Sequence, residues 1–348
     1  MKIAAVPENM LERLVTAAGL APTPLILTFH SVIAARAIMV ATKLGVFDAV
    51  ASKPGSALEL AKQLGVDGGA LEKLLNVLVS TSYLQYRDNR YLATSLSRRW
   101  LASDSPGSLH DNILLRFLEW QIVEATETYV RTGKSLDVHD RIENDQWNVY
   151  QRGMRSLARI SAPEVARRVR LSGSASTMLD VGGGHGSYAV AFCRRVPRLM
   201  ATILDLPHAV ESAAPILAEE NMGKRVIHRS GNALTEDFGD GQWDLIFMSH
   251  FVHHFDQKTN ESLVQRSARA LRPGGVLAIL DVLRPTSPNA SNQTGALLDL
   301  YFAMTSNSGT WPYEEIKRWF DKAGLRPNQK ISVRTAPGLS VLTATKPN

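Results

Sequence analysis

Residues 178–192 read MLDVGGGHGSYAVAF, and this stretch decides the fold of the chain that carries it. An apolar run ends in Asp180, three consecutive glycines occupy 182–184, and a helix-like pattern starts at Tyr188. This order predicts a strand, a tight turn and a helix. Glycine tolerates positive φ and lets a ligand approach the backbone closely, and the N–H groups that open the helix favour an anionic group. The turn is therefore a candidate ligand site.

Two acids accompany this turn. Asp180 lies at the end of the strand, where a carboxylate suits a positively charged ligand group better than a pyrophosphate. Asp205 ends the next apolar run, ATILDLP, about where a ribose-hydroxyl acceptor lies in a dinucleotide-binding fold. The glycine spacing is GGGxG rather than GxGxxG. Together these features resemble the nucleotide site of class I S-adenosylmethionine-dependent methyltransferases.

Length and composition indicate a globular chain with an ample core. The 348 residues are 45% apolar and 21% charged, which suggests two domains or one domain with a large appendage. The net charge of +6 comes from arginines spread along the chain, so we interpret it as solvated faces rather than a nucleic-acid footprint. The single cysteine, Cys193, excludes an internal disulfide and fits a reducing, cytoplasmic setting. The N-terminus lacks a signal-peptide layout.

The first hundred residues have the layout of a winged helix. An apolar helix is predicted over 25–44, and polar residues interrupt it, so we expect a buried helix rather than a membrane span. Ser56 and Glu59 form a capping-box pattern at the start of the next helix, a third helix covers 70–80, and two short strands follow. DNA binding and an interaction domain are both open. The third helix is leucine-rich and carries one lysine, Lys73, which favours the interaction domain.

In the remaining chain, the pattern of apolar residues changes near residue 177. Residues 107–170 have mostly helical patterns, whereas strand and helix patterns alternate afterwards. Strands are predicted at 178–181, 200–204, 226–230, 245–249, 276–281 and 340–344. The predicted fold is α/β, a doubly wound, mostly parallel sheet. The predicted domains are 1–106, a helical connector over 107–170, and 171–348.

Three histidines follow the strand predicted at 245–249. Ligands of α/β sheets bind beyond the carboxyl ends of the strands, so His250, His253 and His254 are placed near the chemistry. Their i, i+3, i+4 spacing predicts one helical face. A metal site and simple packing of a helix start are alternatives, and we expect no metal because a defined ligand set is lacking.

Four motifs carry a closer resemblance. DVGGGHG, LDLPHAV, HFVHHFD and ALRPGGVLAILD look like the small-molecule O-methyltransferases of the caffeate and hydroxyneurosporene type. That family joins an N-terminal winged-helix dimerisation domain to a C-terminal Rossmann-like methyltransferase domain. The resemblance implies S-adenosyl-L-methionine as cofactor, a small-molecule acceptor and a homodimer formed through the N-terminal domain. We expect neither a nucleic-acid nor a membrane partner.

The resemblance also implies a set of cofactor-binding residues. Asn232 stands where the family usually has an acid, in the segment that runs beside the adenine. Ser249 stands where plant members usually have lysine. An asparagine still accepts a hydrogen bond from an amine, but without charge. The implied set is Asp180, Gly182, Gly183, Gly184, Asp205, Leu206, Asn232, Ala233 and Ser249.

His253 aligns with the family's general base. An imidazole suits removal of a proton from a phenol or enol at neutral pH. The family orients this base with two acids. Asp281 occupies the first position, and Thr310 stands near the second, where it cannot act as a carboxylate. The residues expected to face the acceptor are Met154, His250, Phe302 and Trp120.

The sequence is compatible with three functions. The first is transfer of a methyl group to a hydroxyl of an aromatic or polyketide-like molecule, with His253 as base. The second uses the same fold for C- or N-methylation, or for a cofactor-assisted hydroxylation or rearrangement, and is motivated by Thr310. The third is a winged-helix DNA-binding regulator, which the leucine-rich third helix disfavours.

Overall fold

The computed structural model describes residues 3–136, 142–287, 289, 293–306 and 308–348. The chain divides into two compact units, Lys2–Phe117 and Leu118–Asn348. The domain boundaries expected from the sequence stay predictions.

The N-terminal unit contains the predicted helices and hairpin. Strands β1 (Leu84–Arg87) and β2 (Arg90–Ala93) pair antiparallel. Ser56 and Glu59 form the predicted capping box, with Ser56 N donating to Glu59 Oε2 at 2.8 Å. The helices of this unit are Met10–Ala17, Thr23–Leu25, Ser31–Lys43, Val46–Ser52, Ala57–Leu64, Gly68–Ser80 and Ser95–Trp100, with helix His110–Glu124 beginning before its end. Phe47, Leu75 and Leu78 lie at the centre of its core.

The apolar helix predicted over 25–44 forms, but its predicted burial is wrong for the single chain. It runs through a π-helical turn, Ile26–His30, into Ser31–Lys43. Phe29 is 55% exposed and Val32 46% exposed, and buried residues begin only at Ala37. By length and composition, Thr23–Lys43 is apolar enough to cross a membrane, with a mean hydropathy of 1.8, and 17% of it is buried. The helices that follow it supply this unit's core, which leaves its first half uncovered.

The C-terminal unit is built on one sheet, and all six strands expected from the sequence are confirmed. Its strands are β3 (Thr177–Val181), β4 (Met200–Asp205), β5 (Val226–Ser230), β6 (Trp243–Ser249), β7 (Leu271–Val282), β8 (Arg326–Pro327), β9 (Ile331–Ser332) and β10 (Leu339–Thr345). The order is β5-β4-β3-β6-β7-β10-β8, with β9 also paired to β10. Strands β3 to β7 are parallel, and β10 returns antiparallel beside β7. The two-residue strands β8 and β9 were too short to predict.

Apolar clusters cover both faces of this sheet. One contains Phe192 and Phe247, and the other contains Ile246, Trp319 and Phe320. The helices of this unit, after His110–Glu124, are Thr126–Thr132, Asn144–Arg168, Ser187–Arg195, Pro207–Ala218, Gln257–Ala270, Gln293–Thr305 and Tyr313–Lys322.

Two helical segments differ from the sequence patterns. Within the helical patterns predicted over 107–170, one 25-residue helix, Asn144–Arg168, continues through Pro163. Earlier in the same region the helical pattern divides at Ala125 between two helices. Apolar spacing alone did not distinguish a continued helix from a new one.

Candidate active site

The glycine turn lies at the carboxyl end of β3, as predicted. Gly182 has φ +67°, and a Cβ there would lie 2.4 Å from the Phe251 ring, so only glycine fits. A Cβ on Gly183 would lie 2.5 Å from Cγ of Asp180. The turn thus packs tightly around the carboxyl of Asp180, and the helix Ser187–Arg195 begins directly after it.

Asp180 is a buried acid without a protein partner. It is 1% exposed, and neither carboxylate oxygen has a hydrogen-bond partner among the described residues. Burial and, second, the charge of Asp205 raise its pKa to about 7. A buried carboxylate is costly unless it is paired. The position therefore suits a ligand that brings a positive charge.

Asp205 ends β4 beside the same turn. Its Oδ2 accepts from Gly184 N and its Oδ1 from Leu206 N, both at 2.8 Å. Burial raises its pKa. Beyond β5, Asn232 Oδ1 accepts from Leu234 N at 2.9 Å, and Ala233 is buried. The turn after β5 is thus held by the side chain of Asn232, whose oxygen, the predicted acceptor for the adenine, already accepts this backbone N–H.

The predicted helical face of three histidines is wrong. Residues Val252–His254 form a single 3₁₀ turn, and His250 precedes it with φ +51°. A direct backbone bond from His250 N to Leu280 O, 2.8 Å, ties this residue to β7. His250 and His253 nevertheless lie near each other, with ring centroids 6.3 Å apart. Burial lowers the pKa of His250, so this imidazole is neutral near pH 7.

His253 and Asp281 form the predicted pair. The Nδ1 atom of His253 lies 2.9 Å from Oδ1 and 3.0 Å from Oδ2 of Asp281, and both residues are buried. Burial opposes ionisation of Asp281, but His253 outweighs it and holds the pKa of this carboxyl below its ordinary value. An ionised Asp281 accepts the Nδ1 proton. Nε2 of His253 is therefore left as an acceptor for a proton.

Three side chains hold the backbone of this histidine turn, and a fourth packs on the His253 ring. Asn260, fully buried, donates from Nδ2 to the carbonyls of Val252 and Phe255, each at 2.9 Å. Trp311 Nε1 also donates to Val252 O at 3.1 Å. Ser306 Oγ donates to His253 O at 2.9 Å, and the Phe302 ring stacks on the His253 ring at 4.0 Å. Sequence reasoning missed Asn260, Trp311 and Ser306 in this role.

Thr310 lies in a contact that the sequence did not indicate. Its hydroxyl and its backbone N–H both donate to Asp299 Oδ1, the latter at 3.2 Å. Thr310 is fully buried, and Asp299 belongs to the same helix, Gln293–Thr305, as Phe302. A carboxylate is thus present beside Thr310, although it comes from another element.

The other sequence-derived residues take the following places. Ser249 is half-buried at the end of β6, opposite Leu280 of β7. Leu206 is 39% exposed directly after Asp205. Met154 and Trp120 are half-buried on helices Asn144–Arg168 and His110–Glu124, and their contact with an acceptor stays a prediction.

Two lines of comparison identify the family. Residues 124–326 match the O-methyltransferase domain, and residues 26–103 match the O-methyltransferase dimerisation domain. The chain is 28% identical over 279 residues to the 3-hydroxy-5-methyl-1-naphthoate 3-O-methyltransferase of Streptomyces sahachiroi, covering 78% of this chain and 79% of that protein. It is 27% identical over 315 residues to the mitomycin biosynthesis 6-O-methyltransferase of Streptomyces lavendulae, covering 87% and 88%.

Solved structures share the fold. Human N-acetylserotonin methyltransferase in complex with S-adenosylmethionine matches with a TM-score of 0.83 at 18% identity, over 99% of this chain and 100% of that one. The domain match covers more than half of the chain, and the partnerless carboxylate of Asp180 fits the cationic methyl donor that this family uses. The chain belongs to the O-methyltransferase family, and it is a soluble, S-adenosylmethionine-dependent methyltransferase.

Proposed function

We propose that this enzyme methylates a hydroxyl oxygen of an aromatic or polyketide-like small molecule, with His253 as general base. The observation that carries the proposal is the bond between His253 Nδ1 and the ionised Asp281. It leaves Nε2 ready to take the proton of an acceptor hydroxyl. A positioned base contributes about 10²–10⁴ in rate.

The glycine turn is the proposed cofactor site. Bound S-adenosylmethionine supplies a methyl group that its sulfonium makes electrophilic. Asp180 carries an unsatisfied carboxylate for the ammonium group, and Asp205 carries an acceptor for ribose hydroxyls. The remaining proposed contacts are Gly182, Gly183, Gly184, Leu206, Asn232, Ala233 and Ser249.

The aromatic class of acceptor follows from the neighbours of the base. The Phe302 ring stacks on His253, and His250 presents a neutral imidazole beside it. Two relatives are named for O-methylation of a naphthoate and in mitomycin biosynthesis. Met154 and Trp120 complete the proposed acceptor set.

A transfer assay with methyl-labelled S-adenosylmethionine tests this function. The panel should contain phenols, hydroxynaphthoates and polyketide enols, each matched with its methyl ether and with its amino analogue. We expect label in a base-stable ether from the hydroxyl compounds alone. Labelled amines or carbon-methylated products with no ether would refute transfer to oxygen.

Other acceptor atoms are the second candidate. Relatives at 24% and 25% identity are named N,N-dimethyltransferase OxyT and L-tyrosine C(3)-methyltransferase. An amine that is already neutral needs no base. The rate with the true acceptor would therefore survive His253→Ala in that case, whereas transfer to a hydroxyl would lose most of its rate.

We also propose that catalysis needs no metal. One ligand atom each from His250, His253 and Asp281 lies within 4.8 Å of the others, so the residue types alone permit a metal. However, Asp281 already accepts from His253 Nδ1 with both oxygens. Activity should survive dialysis against a strong chelator. Loss of activity that zinc or iron restores would refute this proposal.

The assembly and location are proposed on the same family grounds. The match to a dimerisation domain and the exposed apolar helix Thr23–Lys43 support a homodimer. We propose a cytoplasmic enzyme without nucleic-acid or membrane partners. A low-salt gel shift and vesicle flotation test these two exclusions, and binding in either assay would overturn the corresponding one.

A further inference from the structure

Gln151 is a buried residue whose side-chain amide has no hydrogen-bond partner among the described residues. It lies on the helix Asn144–Arg168 and is 4% exposed. Within the described ranges, its side-chain amide makes no hydrogen bond, and both amide atoms keep some access to solvent, since neither is among the fully buried polar atoms that lack a partner. Most polar groups of largely buried side chains have a hydrogen-bond partner in the protein, and this amide instead opens onto the glycine turn. The position therefore points to a partner that is not part of the chain.

The amide lies across the glycine turn. A Cβ on Gly184 would be 2.7 Å from Oε1 and 3.2 Å from Nε2 of Gln151. Gly184 N also donates to Asp205 Oδ2 at 2.8 Å. The amide of Gln151 and the carboxylate of Asp205 thus meet at the same glycine. Tyr150, the residue before Gln151, also lies near Asp205. Burial raises the pKa of Tyr150 most, and the charges of Glu119 and Asp205 raise it further.

The chemistry of the two groups selects a neutral ligand group. An amide both donates and accepts, and a carboxylate only accepts. A hydroxyl satisfies both because it donates its one proton to the carboxylate and accepts from the amide N–H₂ group. A ligand carboxylate would be repelled by Asp205, and an ammonium group is better matched by the orphaned Asp180.

We propose that Gln151 is a further cofactor-binding residue, which holds the ribose hydroxyls of S-adenosylmethionine together with Asp205. This inference rests on the proposed cofactor site over the glycine turn. It assigns a ligand contact to the long helix, which precedes the sheet in the chain and contains none of the cofactor residues implied by the motifs.

The test is calorimetric binding of S-adenosylhomocysteine and of its 2′-deoxy and 3′-deoxy analogues. Wild-type protein, Gln151→Met and Asp205→Ala are compared, with the exposed Gln257→Met as a matched control. Methionine keeps the length of the side chain and removes the amide. We expect Gln151→Met to weaken the parent compound about 5- to 30-fold, as for one or two neutral hydrogen bonds. It should weaken the analogue that lacks the contacted hydroxyl less than about twofold.

The binding results distinguish an error about Gln151 from an error about the proposed cofactor site. No binding to wild type would remove the proposed cofactor site itself. Normal wild-type binding that Asp205→Ala weakens, with Gln151→Met binding the parent as wild type does, would overturn the role of Gln151 alone. Equal weakening of the parent and both analogues would also overturn it, because packing rather than a hydroxyl contact would then explain the loss.

Thermal unfolding without ligand gives a readout besides activity. A residue that waits for a ligand contributes little to the empty fold, so Gln151→Met should melt at or above the wild-type temperature. A clear fall would assign Gln151 a structural role and overturn the inference. Should the methionine variant fail to fold, Gln151→Asn, which withdraws the amide by one methylene, provides the same ligand comparison.

Discussion

His253 and Asp281 set the chemistry at the scale of single residues. The bond from Nδ1 fixes which nitrogen of His253 carries the proton, and it leaves Nε2 as the nitrogen that can accept a proton. Neither residue could do this alone, because a free imidazole exchanges its tautomers and a free buried acid favours protonation.

Replacement of either partner should reduce the rate with an identified hydroxyl acceptor. His253→Ala should lower kcat about 10²–10⁴-fold, and Asp281→Asn should also lower it strongly because asparagine no longer enforces the Nδ1–H tautomer. Steady-state kinetics with labelled cofactor measure both. The half-exposed His110→Gln is the control, since it should change kcat less than about twofold. Wild-type rates for His253→Ala would disprove base catalysis by this residue.

Asp180 should oppose stability and support binding. Its folded pKa of about 7 exceeds its ordinary value of 3.8, so folding disfavours its ionisation. The unliganded protein therefore loses stability as the pH rises from about 4 to about 7, and the loss remains above that range. Asp180→Asn should melt higher than wild type at pH 8, exceed it by clearly less at pH 5, and bind S-adenosylhomocysteine at least about tenfold more weakly.

Calorimetry and melting at pH 5, 6.5 and 8 test this pair of effects together. Glu219→Gln is a matched control for loss of a carboxylate outside the turn. A variant Asp180→Asn that melts lower than wild type at pH 8, or that binds the ligand as tightly, would contradict the assignment of Asp180 to the cofactor's ammonium group.

At the scale of elements, the histidine turn depends on the helix Gln257–Ala270. Asn260 on that helix donates to two carbonyls of the turn, those of Val252 and Phe255. Asn260→Ala should lower the free energy of unfolding by about 1–3 kcal/mol, because both buried carbonyls lose this donor. It should also lower kcat without weakening cofactor binding.

Chemical denaturation and kinetics measure the two effects of Asn260→Ala, and Asn328→Ala, at an exposed position directly after β8, is the control. Loss of stability with unchanged kcat would show that the turn tolerates the change and would refute a positioning role for Asn260.

A second link between elements is sensitive to acid. Glu164 on the long helix accepts from the backbone N–H groups of Arg334 and Thr335 and pairs with Arg168. Burial opposes ionisation, but these hydrogen bonds lower the pKa of Glu164 to about 2. Its ordinary value is 4.5, so the stabilisation is complete above that pH and is lost as the pH falls towards about 2.

Glu164→Gln should remove this dependence. At pH 7 the variant should unfold with about 1–3 kcal/mol less free energy than wild type, and the difference should shrink below pH 4. Denaturation at several pH values checks the slope, with the exposed Glu211→Gln as control. A constant difference from pH 3 to pH 7 would contradict the role of the ionised carboxylate.

Sequence patterns predicted the elements better than the links between them. The places of the glycine turn, Asp180 and Asp205 were predicted because each lies at the end of an apolar run that is readable locally, while their ligand contacts stay predictions. Asn260, Ser306 and Gln151 were missed because their roles depend on helices that meet the site through the fold. The face of the three histidines was wrong because spacing alone does not distinguish a helix from a single 3₁₀ turn.

At the scale of the whole molecule, the apolar helix has a face that the single chain leaves exposed to solvent. Val32 and Ile33 are each 46% exposed on a mostly apolar helix, Ser31–Lys43. Such a surface favours burial against another protein surface. The match to a dimerisation domain over 26–103 makes a second copy the proposed occupant.

Light scattering after size exclusion should show twice the chain mass of 38.2 kDa. Ile33→Asp should shift the mass to that of one chain, because a charge within the buried surface is costly. The exposed Leu58→Glu should leave the dimer intact. A monomeric wild type, or a dimeric Ile33→Asp, would refute a homodimer formed through this helix.

The most direct test of the account is calorimetric titration of S-adenosylhomocysteine into wild type, Asp205→Ala and His253→Ala. The cofactor site at the glycine turn and the base that acts on the acceptor are distinct groups of residues. We predict that His253→Ala binds as wild type does and that Asp205→Ala binds at least about tenfold more weakly. Wild-type affinity in Asp205→Ala, or loss of binding in His253→Ala, would contradict that assignment of the two sites.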